Sequence, residues 1–80
     1  MGRLPPDQVA AIIARKVVDG RLPIGAPSAM LRGPGTGHLC PACEREIATS
    51  EIETECIFRD GRSIRVHMEC FTEWERARTR

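Results

Sequence analysis

The sequence is poor in the aromatic residues that usually fill a protein core. Its 80 residues include two Phe, one Trp and no Tyr. A chain this short buries only about 60–65% of the surface that its unfolded form exposes, so its own core is expected to be marginal. Small scaffolds of this kind are commonly stabilised by disulfides, a metal ion or a partner chain. The composition therefore predicts one small domain that needs such a stabilising element.

The sequence also lacks a long apolar run and a strong charge of either sign. The longest early apolar stretch, VAAIIA, is too short for a signal-peptide core or a membrane span, so we expect a cytoplasmic protein that does not enter a membrane. The formal net charge is +1, and no basic run typical of strong nucleic-acid binders occurs. In a reducing compartment, closely spaced cysteines more often bind metal or act in catalysis than form structural disulfides.

Helical periodicity marks the two ends of the chain. Residues 7–18 are predicted to form an amphipathic helix that Asp7 caps and that ends at a left-handed Gly20. Its apolar-face positions are Val9, Ile12, Ile13, Lys16 and Val17. Residues 68–78 are predicted to form a second helix, with Phe71, Trp74 and Ala77 on one stripe. Residues 20–39 are rich in Gly and Pro and predict an irregular connector, in which one helical turn near residues 28–31 is an option.

Between the helices, EIETECIF at 51–58 and SIRVH at 63–67 predict a β-hairpin, because the first segment alternates apolar and acidic residues. A three-residue loop with a left-handed Gly61 would pair Cys56 with Ile64 and Phe58 with Arg62. A two-residue loop would instead divide the apolar set between the two faces, so we predict the three-residue loop. The predicted apolar face contains Ile52, Thr54, Cys56, Phe58, Ile64 and Val66, with Glu51, Glu53 and Glu55 opposite.

Two pairs of metal-ligating residues flank this hairpin. Cys40-x-x-Cys43 is followed, after 23 residues, by His67-x-x-Cys70. Zinc prefers tetrahedral sulfur and nitrogen ligation, and structural zinc sites use four protein ligands. We therefore predict one structural Zn²⁺ per chain, bound by Cys40, Cys43, His67 and Cys70. The spacing does not separate zinc from iron, although zinc is the better match to this ligand set.

A knuckle, a β-hairpin and a helix whose start carries the last ligands resemble a treble-clef zinc finger. The resemblance covers residues 38–78. The ligand pattern is similar to half of a LIM domain, and HMECF is similar to the His-x-x-Cys-Phe of poly(ADP-ribose) polymerase fingers. No second zinc module follows, however, and the gap between the pairs is shorter than in those polymerase fingers. From DGRLP through GPGTGHLCPAC to HMECFTEW, the chain most resembles a group of small uncharacterised bacterial zinc-binding proteins. That likeness implies a fold and a cytoplasmic setting but no activity.

Several alternatives remain open at this point. Cys56 is predicted to lie in the core, but it is also a candidate ligand in place of His67, and as a free thiol it suits a redox or metal sensor. His38 is predicted to be an exposed loop residue and is a weaker candidate ligand. CPAC is not expected to be a thioredoxin-type dithiol, because strands follow it. GPGTG lacks the Lys-Ser/Thr of a phosphate-binding loop, so its glycines are expected to let the chain pass close to the knuckle.

The expected organisation is α+β, with a helix and connector at 1–37 and a treble-clef zinc module at 38–80, together forming one compact domain. Three thiolates and an imidazole leave no open metal position, so we do not expect an enzyme. The predicted role is a protein-interaction module, in which an exposed helix or the acidic face of the hairpin binds a protein partner. The apolar stripe of the first helix motivates this role and also suits a homodimer. The alternative is a nucleic-acid-binding finger using Arg62, Arg65, Arg76, Arg78 and Arg80.

Overall fold

The computed structural model, which describes residues 5–79, contains two helices and a three-stranded antiparallel sheet. The elements are α1 (Pro6–Val18), β1 (Ala29–Pro34), β2 (Ile52–Ile57), β3 (Ser63–His67) and α2 (Met68–Arg78). The strand order in the sheet is β1-β2-β3. The predicted α+β class is therefore confirmed. Neither helix in the described part of the chain is long and apolar enough to cross a membrane.

The start of α1 differs from the prediction. Pro5 occupies the N-cap position, and the helix has no side-chain cap, so the predicted capping role of Asp7 was wrong. Pro6 follows at the first helical position, which suits proline because the first helical turn leaves its N–H groups without intrahelical partners. Asp7 lies instead within the first turn, where a carboxylate complements the helix dipole. The predicted left-handed Gly20 is confirmed by its φ of 78°.

The predicted irregular connector contains a strand. β1 pairs with β2 along six residues, with Met30 opposite Cys56 and Pro34 opposite Ile52. The prediction of an irregular segment or helical turn at residues 29–34 was therefore wrong, whereas residues 21–28 do lack helix and strand. Nearly all of β1 is exposed, so its sequence carries no apolar alternation. Backbone pairing with β2, rather than side-chain burial, is what makes this segment extended.

The hairpin register is the predicted one. Cys56 lies opposite Ile64, and the Phe58 N–H donates to the Arg62 carbonyl over 2.9 Å. Gly61 has a φ of 93°, a value that a residue with a Cβ rarely adopts. Cys56, Phe58 and Val66 are buried as expected. Ile52 departs from the prediction and is 43% exposed, because it lies at the end of β2 where Pro34 is its only strand neighbour.

Buried side chains from α1, α2 and the sheet form one core. Trp74 is fully buried, with its ring centroid 5.9 Å from Phe58 and 6.0 Å from Phe71. Its indole N–H donates to the Pro23 carbonyl over 2.8 Å, so the connector is tied to the core. α1 packs against α2 rather than across the hairpin, and it buries Ile13 and Val17 there. The apolar stripe that suggested a homodimer is thus largely used within the chain.

Candidate metal centre

The Cys-x-x-Cys knuckle is a tight turn closed by backbone hydrogen bonds. The Cys40 N–H donates to the Arg45 carbonyl over 2.8 Å, and the Glu44 N–H donates to the Cys40 carbonyl over 2.7 Å. Glu44 leaves the turn in the left-handed region, with a φ of 66°. Cys40 and Cys43 are both buried. The turn therefore holds two thiols close together inside the protein.

The second pair comes from the junction of β3 and α2. His67 is the last residue of β3 and the N-cap residue of α2, and Cys70 lies in the first turn of that helix. The His67 side chain makes no capping hydrogen bond. Both side chains are at most 3% exposed. A thiolate in the first turn is also favoured by the positive end of the helix dipole.

The structure brings these four side chains together. Their ligand atoms all lie within 4.8 Å of one another. The His67 Nδ1 is 3.4 Å from the Cys43 Sγ and 3.8 Å from the Cys70 Sγ. A tetrahedral ion with Zn–S of about 2.3 Å and Zn–N of about 2.0–2.1 Å requires S···N separations of about 3.5–3.6 Å. The two measured distances lie on either side of this value, so the group is compatible with one metal ion.

The Nε2 edge of the His67 ring contacts two oxygen atoms. Nε2 lies 3.1 Å from the Glu51 Oε1 and 3.2 Å from the Glu46 carbonyl oxygen. Both are acceptors, so Nε2 carries the proton and Nδ1 presents its lone pair to the sulfur atoms. The same Glu51 oxygen accepts the Ala48 N–H over 2.8 Å, which fixes the carboxylate. A carboxylate behind a histidine ligand is a common arrangement in zinc sites.

The thiols influence one another's protonation. A hydrogen bond from the Cys70 thiol lowers the pKa of Cys40 to about 4, against the opposing effect of burial. The pKa of Cys70 is raised, first by that same hydrogen bond and then by burial. One sulfur of the pair is therefore a thiolate while its neighbour holds the proton. Metal ligands must be deprotonated, so binding an ion here releases protons.

Two residues that were considered as alternative ligands lie outside this group. Cys56 is fully buried on the apolar face of β2, and burial raises the pKa of its thiol to about 11. His38 is exposed, and its ring contacts the Thr36 hydroxyl and the Arg65 guanidinium. Among the described residues, the side chains that come together as potential ligands include His67 but neither Cys56 nor His38.

The glycine-rich loop runs past the segment that follows the knuckle. The Gly37 N–H donates to the Ile47 carbonyl over 3.0 Å, and the Ile47 N–H donates to the His38 carbonyl over 2.8 Å. A Cβ on Gly35 would lie 2.0 Å from the Ala48 carbonyl oxygen, so no other residue fits without backbone movement. Gly35 therefore has the role that was predicted for the glycines of this loop, whereas a Cβ on Gly33 would meet no atom within 4 Å.

The candidate nucleic-acid-binding arginines are engaged with acidic residues. Arg76 and Arg78 pair with Glu73 and Glu75 one helical turn away. On the hairpin, Arg62 pairs with Asp60 at 2.9 Å, and Arg65 lies 3.4 Å from Glu53 and 3.8 Å from Glu55. Arg80, the fifth candidate, lies outside the described residues.

Sequence reasoning missed two residues beside the metal group. Glu51 was expected on a solvent-facing strand surface, yet it contacts the His67 ring. Lys16 was placed on the apolar face of α1 without a partner, yet its ammonium contacts the knuckle. No local pattern identifies either contact, because each joins segments at least 16 residues apart.

No family model, curated protein or solved structure matches this chain.

Proposed function

We propose that this protein binds one zinc ion per chain at a structural site formed by Cys40, Cys43, His67 and Cys70. The observation that carries the proposal is the convergence of four buried donor atoms within 4.8 Å, in a group of three sulfurs and one nitrogen. Thiolate-rich tetrahedral groups favour zinc among the common divalent ions. The order of knuckle, hairpin and helix supports a treble-clef arrangement around the ion.

The proposed ion has a structural role. Three thiolates and one imidazole use all four tetrahedral positions, whereas a catalytic zinc keeps one for water or substrate. Apparent zinc affinities in finger peptides correspond to about 10–16 kcal/mol, which is comparable to the total stability of about 5–15 kcal/mol typical of a domain. Zinc is therefore expected to decide whether the knuckle, the hairpin and α2 fold together.

The test of this site is a metal analysis of the purified full-length protein combined with cobalt substitution. We expect one zinc per chain. With Co²⁺ we expect the thiolate charge-transfer bands and the intense d–d bands of a tetrahedral site. His67→Ala should change the d–d spectrum, whereas Cys56→Ala should not. A protein that is metal-free as purified and fully ordered after chelation would contradict the proposal.

For the biological role, we propose a protein-interaction module. Support comes from β1, an edge strand on which Met30 and Leu31 are 47% and 59% exposed. Edge strands with exposed apolar side chains are suited to pairing with a partner segment. A photo-crosslinker placed at Leu31 should give a defined, zinc-dependent adduct with a partner, and the same crosslinker at Glu75 on α2 should not. Equal labelling from both positions would contradict this role. So would the absence of an adduct from Leu31 in protein that has been chelated and then reloaded with zinc.

Nucleic-acid binding is the less favoured alternative. The described candidate arginines are paired with carboxylates, and these pairs would have to break before the arginines contact phosphates. Phosphate contacts produce an affinity that falls steeply with salt. The alternative requires that duplex or single-stranded DNA or RNA bind with an affinity that falls as salt is added. We expect no binding.

A further inference from the structure

Lys16 connects α1 to the metal knuckle. It is the chain's only lysine, and it is only 7% exposed. Its ammonium donates to the Pro41 carbonyl over 2.6 Å and to the Glu44 Oε2 over 2.8 Å. Pro41 lies between the two knuckle cysteines, and Glu44 directly follows Cys43. A single buried cation therefore holds both the middle and the exit of the turn that presents two sulfur atoms.

Burying an ammonium is unfavourable unless it is paired and hydrogen-bonded, so this position needs a compensating interaction. The Glu44 carboxylate supplies the opposite charge, and the Pro41 carbonyl supplies a second acceptor. The centre itself supplies more negative charge. Three thiolates and a divalent ion leave one net negative charge, and Lys16 and Cys43 line the same groove between α1 and the knuckle.

The backbone at Glu44 also needs support. Its φ of 66° lies in the left-handed region, which a residue with a Cβ occupies only when its surroundings hold it there. Two contacts act on this residue. Its N–H is bound by the Cys40 carbonyl inside the turn, and its side chain is bound by Lys16 from outside. The second contact comes from an element 28 residues away in the sequence.

We propose that Lys16 is a positioning residue of the metal centre, through which α1 raises metal affinity although it contributes no ligand. The inference rests on the proposed zinc site and extends it, because it makes the N-terminal helix part of the site. Residues that orient metal ligands typically change metal affinity by about 10–100-fold when they are replaced.

The test compares zinc affinities of full-length variants by competition with a chromophoric chelator. Lys16→Met keeps the aliphatic stem and removes the ammonium, and we expect its dissociation constant for zinc to rise about tenfold or more. Arg76→Met is the matched control, because it removes one positive charge at a 67% exposed side chain on α2 whose ion pair is with Glu73. We expect Arg76→Met to stay within twofold of the wild type.

A second readout separates positioning from loss of overall stability. Alkylation by N-ethylmaleimide in the presence of zinc, mapped by mass spectrometry, reports on each cysteine. Lys16→Met should speed alkylation of Cys40 and Cys43 while Cys56, buried in the core, stays protected. Val17→Ala, which weakens the packing of α1 without touching the knuckle contacts, should affect all the cysteines together, including Cys56.

Glu44→Gln gives an independent variant at a side chain that is 69% exposed. It removes the charge that Lys16 pairs with, and we expect alkylation of Cys40 and Cys43 to rise about threefold with Cys56 unchanged. An unchanged rate in Glu44→Gln overturns the inference even if Lys16→Met does not fold. So does a Lys16→Met affinity equal to that of Arg76→Met, or alkylation of Cys56 in step with the knuckle. A wild-type protein that binds no zinc would instead refute the underlying zinc site.

Discussion

The Nε2 of His67 lies 3.1 Å from the Glu51 carboxylate, on the side of the ring away from the sulfurs of Cys43 and Cys70. This contact sets the tautomer of the imidazole before any ion arrives. Because the carboxylate itself is fixed by the Ala48 N–H, the ring has one orientation. Glu51 therefore orients the nitrogen that would bind the proposed ion.

Replacing Glu51 should weaken zinc binding without removing a ligand. We expect Glu51→Ala to raise the zinc dissociation constant about 10–100-fold and Glu51→Gln, which keeps an acceptor oxygen, to have a smaller effect. Chelator competition measures both values. Glu75→Ala, at a half-exposed side chain on α2, is the control and should have no effect. Equal affinities in Glu51→Ala and Glu75→Ala would show that the carboxylate does not support the ligand.

Removing a sulfur ligand should unfold the protein around the centre. We expect Cys40→Ser or Cys70→Ser to lose the dispersed amide signals of residues 38–78 in an NMR spectrum, because the proposed ion supplies a free energy comparable to the whole stability of a domain. Cys56→Ala is the matched control. Its thiol lies in the core and outside the four-residue group, so the variant should keep one zinc per chain and a dispersed spectrum. Native dispersion in Cys70→Ser would contradict this prediction.

Gly35 should tolerate no side chain. A Cβ there meets two backbone oxygens, at 2.0 Å from Ala48 and 2.7 Å from Ile47, and neither can rotate away. We expect Gly35→Ala to lower the free energy of unfolding by about 2–3 kcal/mol, at the upper end of the cost of overpacking. Gly33→Ala, where a Cβ meets nothing within 4 Å, should be neutral or slightly stabilising. Urea denaturation of the zinc-loaded proteins measures both, and equal midpoints would refute the steric argument.

Thr54 should be replaceable by valine with a gain in stability. Its hydroxyl is buried and has no hydrogen-bond partner among the described residues. An unsatisfied buried polar group costs about 1–3 kcal/mol, and valine has nearly the same shape. We expect Thr54→Val to raise the free energy of unfolding by about 1 kcal/mol, measured by thermal denaturation at fixed zinc. Thr72→Val, at an exposed hydroxyl that donates to the Met68 carbonyl, should give no such gain. A fall in stability for Thr54→Val would indicate a partner for the hydroxyl.

Cys56 should make stability fall at alkaline pH. Burial raises its pKa from the ordinary 9.0 to about 11, so the folded protein holds the thiol proton more tightly than the unfolded chain does. The resulting stabilisation is complete below pH 9 and is lost as the pH rises towards 11. The difference in unfolding free energy between the wild type and Cys56→Ala should therefore shrink over this range. A difference independent of pH would contradict the raised pKa.

The parts of the fold that depend on local pattern were predictable. Apolar alternation and the need for a left-handed Gly61 defined the hairpin register, and the spacing of Phe71 and Trp74 defined α2. The four proposed ligands were identified for a similar reason, because metal ligands occur in closely spaced pairs on turns and helix starts. These features need little knowledge of which distant segments meet.

Apart from the N-cap of α1, the features that were missed depend on distant segments. Glu53 was expected to face solvent but is only 7% exposed, because Thr36 and Arg65 cover it with a hydrogen bond and an ion pair. β1 is a strand only because β2 is beside it, and Lys16 is buried only because the knuckle lies above α1. Periodicity within one segment carries no information about such contacts.

The placement of β1 also affects how the folded protein avoids self-assembly. Because it pairs with β2, the strand that carries Cys56 and Ile57, β1 forms one of the two borders of the sheet. That border contains a cation, Arg32, and a proline, Pro34, which has no N–H to extend the ladder. Charged residues and proline on a border strand discourage fibril growth. Arg32 and Pro34 therefore disfavour open-ended strand addition at one end of this edge, whereas the proposed partner would pair at Met30 and Leu31.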